Sequence, residues 1–189
     1  MKILAVQSRM GIGDTVIFLP FIKALSKKFN SPISILVKEN SKANQYLHQT
    51  KYIDKILTLE RDNKTNNRHG GFFGIFKLAN DLKKYKFDKI FIFNSSLRFN
   101  LVAKISGIPQ IYQYPLFAKN KQHIIEAPKK FLKKNLDLDI NEDPEVQIDS
   151  DLISKAAQKF QIDKNTTNIL LGIGGSGPTK RIPAKTFLS

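Results

Sequence analysis

Apolar residues fall along this chain in two alternating rhythms. Ile3-Leu4-Ala5-Val6 is an unbroken apolar run of strand length, the pattern of a strand buried on both faces. From Thr15 onward Val16, Leu19, Ile22, Leu25 and Phe29 recur at three- and four-residue spacing, which gathers them on one face of a helix. Pro20 lies inside that helix, where a kink is expected. After Ser31-Pro32 the rhythm changes back: Ile33 to Val37 reads as a second strand, Ala43 to His48 as a short helical stretch and Ile53 to Leu59 as a third strand. A polar stretch from Arg61 to Gly71 leads to a helix over Phe73 to Tyr85. A strand over Phe87 to Phe93 and a helix over Leu97 to Ser106 come next, stopped by Gly107-Ile108-Pro109, and Ile111 to Pro115 reads as a fifth strand.

Strands alternating with helices at this spacing imply parallel βαβ units, so the expected fold class is α/β, a Rossmann-like parallel sheet with helices on both faces. Beyond the fifth strand a basic helix over His123 to Leu136 gives way to a mostly acidic connector, Asp137 to Asp151. That change predicts a boundary between a first domain, 1–150, and a second segment, 151–189. Asp151 to Phe160 reads as a helix, Asn168 to Ile173 restarts the strand pattern and Pro183 to Leu188 opens another helix. A helix cut in its first turns leaves its apolar face uncovered, so the expectation is a truncated second domain, represented by its first strand.

Hydrophobic residues form 41% of the 189 residues, enough for a real core, and no apolar run approaches the roughly 20 residues of a membrane span. Met1 to Gln7 turns polar without a small-residue cleavage site, unlike a secretory signal, which points to the cytoplasm. There is no cysteine, hence no disulfide framework and no thiolate metal site. Lys+Arg 31 against Asp+Glu 16 leaves a formal charge of +15, a field that draws anionic partners. A general preference for lysine, asparagine and isoleucine accounts for the same excess. Nucleic acid is disfavoured as a partner, because most of the phenylalanines stand at core-like strand and helix spacing and not as a stacking platform.

Two glycine-rich turns carry the candidate chemistry. Gly11-Ile12-Gly13-Asp14 lies between the first strand and the first helix, where open α/β sheets place their ligand crevice. Asp14 is there either an N-cap that accepts a backbone N–H or a chemical group, and one role does not preclude the other. Gly172-Ile173-Gly174-Gly175-Ser176-Gly177 matches the dinucleotide pattern G-x-G-x-x-G. That fingerprint opens directly into a helix, whereas Pro178 and Pro183 follow here, which argues against a dinucleotide-dependent oxidoreductase. The loop is either an anion cradle of backbone N–H groups beside Lys180 and Arg181 or an ordinary βα loop with surface cations.

Three stretches carry a family resemblance. Met1 to Val6 with Gly13-Asp14-Thr15-Val16, Leu19-Pro20 and Ala24-Leu25 is similar to the first strand, Gly-Asp turn and helix of glycosyltransferase family 9, the ADP-heptose:lipopolysaccharide heptosyltransferases. Tyr85 to Asp88 and Asn94 to Arg98 resemble a later block of that family, with Asn94 and Ser96 in place of its usual Asp and Gln. Ile169 to Phe187, with Gly174-Gly175-Ser176 and Lys180 to Pro183, resembles the first strand and loop of its donor domain. The family's later donor half, with its Asp-Thr-Gly loop, has no counterpart in these residues.

The resemblance implies a GT-B fold and an inverting transfer of heptose from ADP-heptose to the lipopolysaccharide inner core, with this chain inactive by itself. Asp14 would be the general base, a role for which an apolar cleft would raise its pKa. Gly13, Arg61, Lys64 and Arg68 would meet the polyanionic acceptor, although the same loop also reads as plain solvated surface. Gly175, Ser176 and Lys180 would neutralise the departing diphosphate. No cofactor or metal is expected; Asp137-Leu138-Asp139 and Asp149-Ser150-Asp151 match the Asp-x-Asp signature of metal-dependent transferases, but both lie in the acidic connector. The basic helix with His123, Lys129, Lys130, Lys133 and Lys134 either rests on the cytoplasmic face of the inner membrane or packs on the core beneath a lysine-rich face, and His123 by itself reads as a surface or packing residue. The competing class is a non-catalytic basic α/β module that binds anionic lipid or nucleic acid.

Overall fold

The structure is a computed structural model, and it describes residues 1–8, 11–61, 67–116, 123–163, 165–170 and 186. The chain divides into two units, Met1–Ile148 and Asp149–Ser189.

Five parallel strands form the sheet of the first unit: β1 (Ile3–Val6), β2 (Ile33–Lys38), β3 (Ile53–Leu59), β4 (Lys89–Ile92) and β5 (Gln110–Gln113), in the order β3-β2-β1-β4-β5. The all-apolar composition of β1 follows from its central place, since its two faces enter two different cores. Ile3 and Ala5 join Ile33, Ile35, Val37, Phe91 and Phe93 on one side. Leu4 and Val6 join Leu36, Ile90 and Ile92 on the other. A period-2 strand alternates its side chains in this way.

Helices α1 (Ile12–Phe29), α2 (Ala43–Tyr46) and α5 (Glu126–Leu136) cover the first core, through Phe18, Phe21, Leu25, Ala43, Phe131 and Leu132 among others. Helices α3 (Phe73–Lys83) and α4 (Leu97–Ile105) cover the second, through Ile75, Leu78, Leu82, Phe99 and Val102. With helices on both faces the sheet is doubly wound, and the fold class is the expected Rossmann-like α/β.

One expectation is corrected, and two further features add to the sequence reading. The first helix starts at Ile12, a turn earlier than Thr15, and continues unbroken through Pro20. Gly11 takes the N-cap position at φ 108°, a backbone conformation suited to glycine, and offers no side chain to cap this end. Asp14 is therefore inside the first turn and is not the N-cap. Second, the acidic connector folds back on the first unit: Ile140 is buried, Glu142 pairs with Lys23 and Lys27, and the Lys51 N–H donates to Gln147 Oε1 at 3.1 Å. Hydrogen bonds from Lys27 and then Lys23 hold the Glu142 carboxyl below its ordinary value, and the buried Ile140 anchors the same segment in the core. Third, the phenylalanines do not all enter the core. Phe72, Phe73 and Phe76 are exposed, because three rings within about one turn of helix cannot share a face that Gly74, Ile75 and Leu78 already occupy.

In the second unit, helix α6 (Ser150–Lys159) is capped by Asp149, which accepts the Asp151 N–H at 2.8 Å. Residues 168–170 carry no regular structure. The rest of the expected strand, 171–173, and the helix from Pro183, apart from residue 186, lie outside the described residues.

Candidate functional site

The strand order reverses between β1 and β4, and the turns that leave their carboxyl ends part to opposite faces of the sheet. In such sheets the ligand crevice opens at this switch point. On the β1 side, Gly11 lets the chain turn directly into α1, so Gly13 is exposed and Asp14 half-buried at the helix N-terminus, where a negative charge is favoured by the helix dipole. The Asp14 carboxylate reaches back over the turn: its Oδ2 lies 3.7 Å from the position a Cβ on Gly11 would take. Beneath, buried Gln7 donates from Nε2 to the Asp14 carbonyl at 3.1 Å, and Thr15 Oγ1 donates to the Gly11 carbonyl at 3.1 Å.

Asn94 ties the two turns together. Its Nδ2 donates to Ser8 Oγ at 3.0 Å, and its Oδ1 accepts the Ser96 N–H at 3.0 Å. From the end of β5, Gln113 Nε2 donates to the carbonyls of Asn94 at 3.2 Å and Ser96 at 2.8 Å, while its own Oε1 accepts from Asn100 at 2.9 Å. Sequence reasoning left Asn94 and Ser96 without a role and did not single out Ser8 or Gln113. The one available signal was the short polar run that interrupts the pattern immediately after β4.

Concave surfaces flank the Asp14 turn along the same sheet edge. A cavity of about 420 Å³ lies at the ends of β2 and β3, lined by Lys38, Asn40, Lys42 and Gln45 among others. A larger one, about 750 Å³, lies beside β5 and is lined by Gln113, Tyr114, His123, Lys130, Phe131 and Lys134. The larger space is not at Asp14; Gln113 links it to the Asn94 turn. His123 thus lines a cavity, and α5 is a core helix, since Phe131 and Leu132 are buried under its lysines.

The described end of the loop from β3 to α3, residues 67–72, is built around His69. Its Nδ1 accepts the Glu60 N–H at 3.1 Å, so Nε2 carries the proton and donates to Asp81 Oδ2 at 3.0 Å. Arg68 grips the same carboxylate with both terminal nitrogens, at 2.6 and 2.8 Å. Arg98, on the first turn of α4, donates to the Gly71 carbonyl at 2.7 Å and to the His69 carbonyl. Of the loop's expected acceptor contacts, Arg68 is engaged with Asp81, Arg61 stands at the loop entrance with its N–H on the Leu59 carbonyl, and Lys64 lies outside the described residues.

Burial raises the Asp81 pKa, but the hydrogen bonds from His69 and Arg68 together outweigh it and hold the carboxyl below its ordinary value. A depressed carboxyl contributes stability above its unfolded value, about 3.9, and loses it as pH falls through the folded value. Asp81→Asn should therefore be destabilised at pH 7 and lose that deficit below about pH 4. Urea midpoints at both pH values check this, and an equal deficit at each would contradict the linkage. Gly74 seals the same loop: a Cβ there would collide with the carbonyl carbon and oxygen of His69. Gly74→Ala should cost about 1–3 kcal/mol by overpacking, more than the helix propensity it gains, and a denaturation midpoint at or above the parent's would refute it.

Gly175, Ser176 and Lys180 lie outside the described residues. The Asp-x-Asp acids have protein partners: Lys133 binds Asp137 and Asp139 at 2.7 Å each, Asp149 caps α6, and Asp151 pairs with Lys155 at 2.6 Å. Among the described residues no group of three or more His, Cys, Asp or Glu gathers as a metal site, and no helix is long and apolar enough to cross a membrane.

No protein-family model and no curated protein matches the chain. Solved structures do. A glycosyl transferase family 9 protein from Veillonella parvula superposes with a TM-score of 0.75 at 20% identity, over 98% of this chain and 57% of that one. ADP-heptose lps heptosyltransferase II of E. coli gives 0.57 at 15%, over 87% and 52%. The E. coli heptosyltransferase WaaC, solved with ADP-2-deoxy-2-fluoro heptose, gives 0.51 at 13%, over 75% and 50%. The chain thus spans little more than half the length of these proteins, and what it shares with glycosyltransferase family 9 and the heptosyltransferases over that length is the Rossmann-like α/β fold.

Proposed function

We propose that the chain is the acceptor-side portion of an inverting glycosyltransferase, with Asp14 as its general base. The observation that carries this reading is the place of Asp14, a half-buried carboxylate on the first turn of α1 at the switch point of the sheet. The fold likeness to family 9 transferases supports it, as do the polar hollows on either side of the turn, the first lined by Lys38, Lys42 and Glu39 and the second by Lys130, Lys134 and Glu126, each with a positive balance.

In this reaction the acceptor hydroxyl oxygen forms a bond to the anomeric carbon of the donor sugar while its proton passes to Asp14. The bond from that carbon to the diphosphate breaks, the electron pair leaves with the nucleotide, and attack from the opposite side inverts the centre. The donor we propose is ADP-heptose and the acceptor the lipopolysaccharide inner core, reached at the cytoplasmic face of the inner membrane. Gly13, Arg61, Lys64 and Arg68 belong on the acceptor side. Gly175, Ser176 and Lys180 would neutralise the leaving diphosphate from a donor domain whose start is residues 151–189. The 189 residues by themselves would be inactive.

The test is nucleotide release from ADP-heptose by a transferase that contains this chain, with a heptose-deficient lipopolysaccharide acceptor. Turnover that needs both substrates is the expected result. Turnover with neither this donor nor other nucleotide sugars, from a folded protein, would remove the reading.

A further inference from the structure

We propose that the outer face of the α3–α4 pair is a docking surface for a bilayer of anionic lipids, an inference that stands whether or not the chain transfers sugar. The two helices run side by side at matched height: Arg98 reaches the Gly71 carbonyl at one end, and Ser106 Oγ donates to the Ala79 carbonyl at 3.1 Å at the other. On α4 the inward positions are Phe99, Val102 and Ala103, which leaves Leu97, Leu101 and Ile105 as an outward stripe at four-residue spacing. At the start of α3, Phe72 and Phe73 are 66% and 77% exposed and Phe76 is 47% exposed. Phe72 holds the other two edge-on, with ring centroids 6.1 Å from Phe73 and 5.6 Å from Phe76. Three phenylalanines and three aliphatic side chains thus stand in water on one pair of helices, far more than scattered surface apolars would give.

Charge selects the occupant. Lys77, Lys83 and Lys104 are exposed on the same two helices, with Lys84 just beyond α3, and the one acid on either helix, Asp81, is already bound by Arg68 and His69. A second copy paired face to face would bring these lysines against their own counterparts. An anionic lipid surface attracts them while its acyl boundary takes the rings, the division of labour of interfacial helices. The basic helix α5 cannot serve in this way, because its apolar side is spent on the core. Phe72 and Phe73 also stand beside the β3–α3 loop, at the sheet edge that holds the candidate site.

The chain has no tryptophan, so Phe73→Trp installs a single reporter. With vesicles of equal parts phosphatidylglycerol and phosphatidylcholine, its emission should shift to the blue and be quenched by brominated acyl chains. Partitioning should be at least about tenfold weaker on pure phosphatidylcholine, and as much weaker when Phe72→Ser and Phe76→Ser are added with the circular dichroism unchanged. An unshifted reporter overturns the proposal. So does an added double substitution that leaves partitioning unchanged, or a blue shift that appears without vesicles and grows with protein concentration, the mark of self-association.

Discussion

On the proposed role of Asp14 as general base, its replacement with asparagine in a transferase that contains this chain should lower transfer by about 10²–10⁴-fold, the range that a positioned general base contributes. Asparagine keeps the shape and polarity of the side chain but cannot accept the acceptor's proton at working pH. The position explains why so large an effect can come with little structural cost. The N-cap of α1 is Gly11 and not Asp14, the Asp14 backbone is fixed through its carbonyl by Gln7, and the apolar face of the helix is buried independently of the carboxylate. Loss of one negative charge at a helix N-terminus costs about 0.3–1 kcal/mol, so the thermal transition should move little while the rate collapses. Steady-state nucleotide release with both substrates saturating, beside a melting curve of the same preparation, separates the two. Undiminished turnover would take Asp14 out of the mechanism; equal loss of rate and of fold would make it a structural residue.

The sheet was legible because its central strands are buried on both sides and write that fact as apolar runs. Ile3 to Val6 has the same bounds in sequence and structure, and the run from Ile33 to Val37 is extended only by Lys38. Helix ends were less legible, since they depend on backbone geometry and not on side-chain period. A glycine at φ 108° allowed α1 to begin at Ile12, before its apolar stripe does, and this moved Asp14 from the expected cap to the first turn. The acidic stretch after α5 was legible as a change in composition, but the pairing of its Glu142 with Lys23 and Lys27 on α1 spans more than a hundred residues, and no local pattern reveals it. The same limit applies at the site. Asn94 and Gln113 matter through hydrogen bonds between turns that follow different strands, and only the strand order brings those turns together.

Phe91→Ala should be the most damaging core substitution, with a loss of about 3–5 kcal/mol, a large share of the roughly 5–15 kcal/mol that holds a typical domain together. The reason is its connectivity. Phe91 sits fully buried on β4, opposite Tyr112 of β5, and the two rings stack at 4.6 Å with their planes 5° apart. Phe29 from the end of α1 lies tilted beside it at 5.9 Å, and Phe131 from α5 meets it in a T-shaped pair at 6.4 Å. One side chain therefore joins the central sheet, the edge strand and two helices of the same face, and alanine would leave a void that rings fixed on separate elements cannot close. Phe91→Leu keeps most of the volume and should cost about 1.5 kcal/mol. Phe73→Ala supplies the opposite case, the same chemistry removed from a ring in water, and should change stability by less than about 0.5 kcal/mol. Urea unfolding of the three variants should rank them Phe91→Ala, Phe91→Leu, Phe73→Ala from most to least destabilised. If Phe73→Ala proved as costly as Phe91→Ala, the exposed ring would be part of a buried contact, and the division of this chain's phenylalanines between core and surface would be wrong.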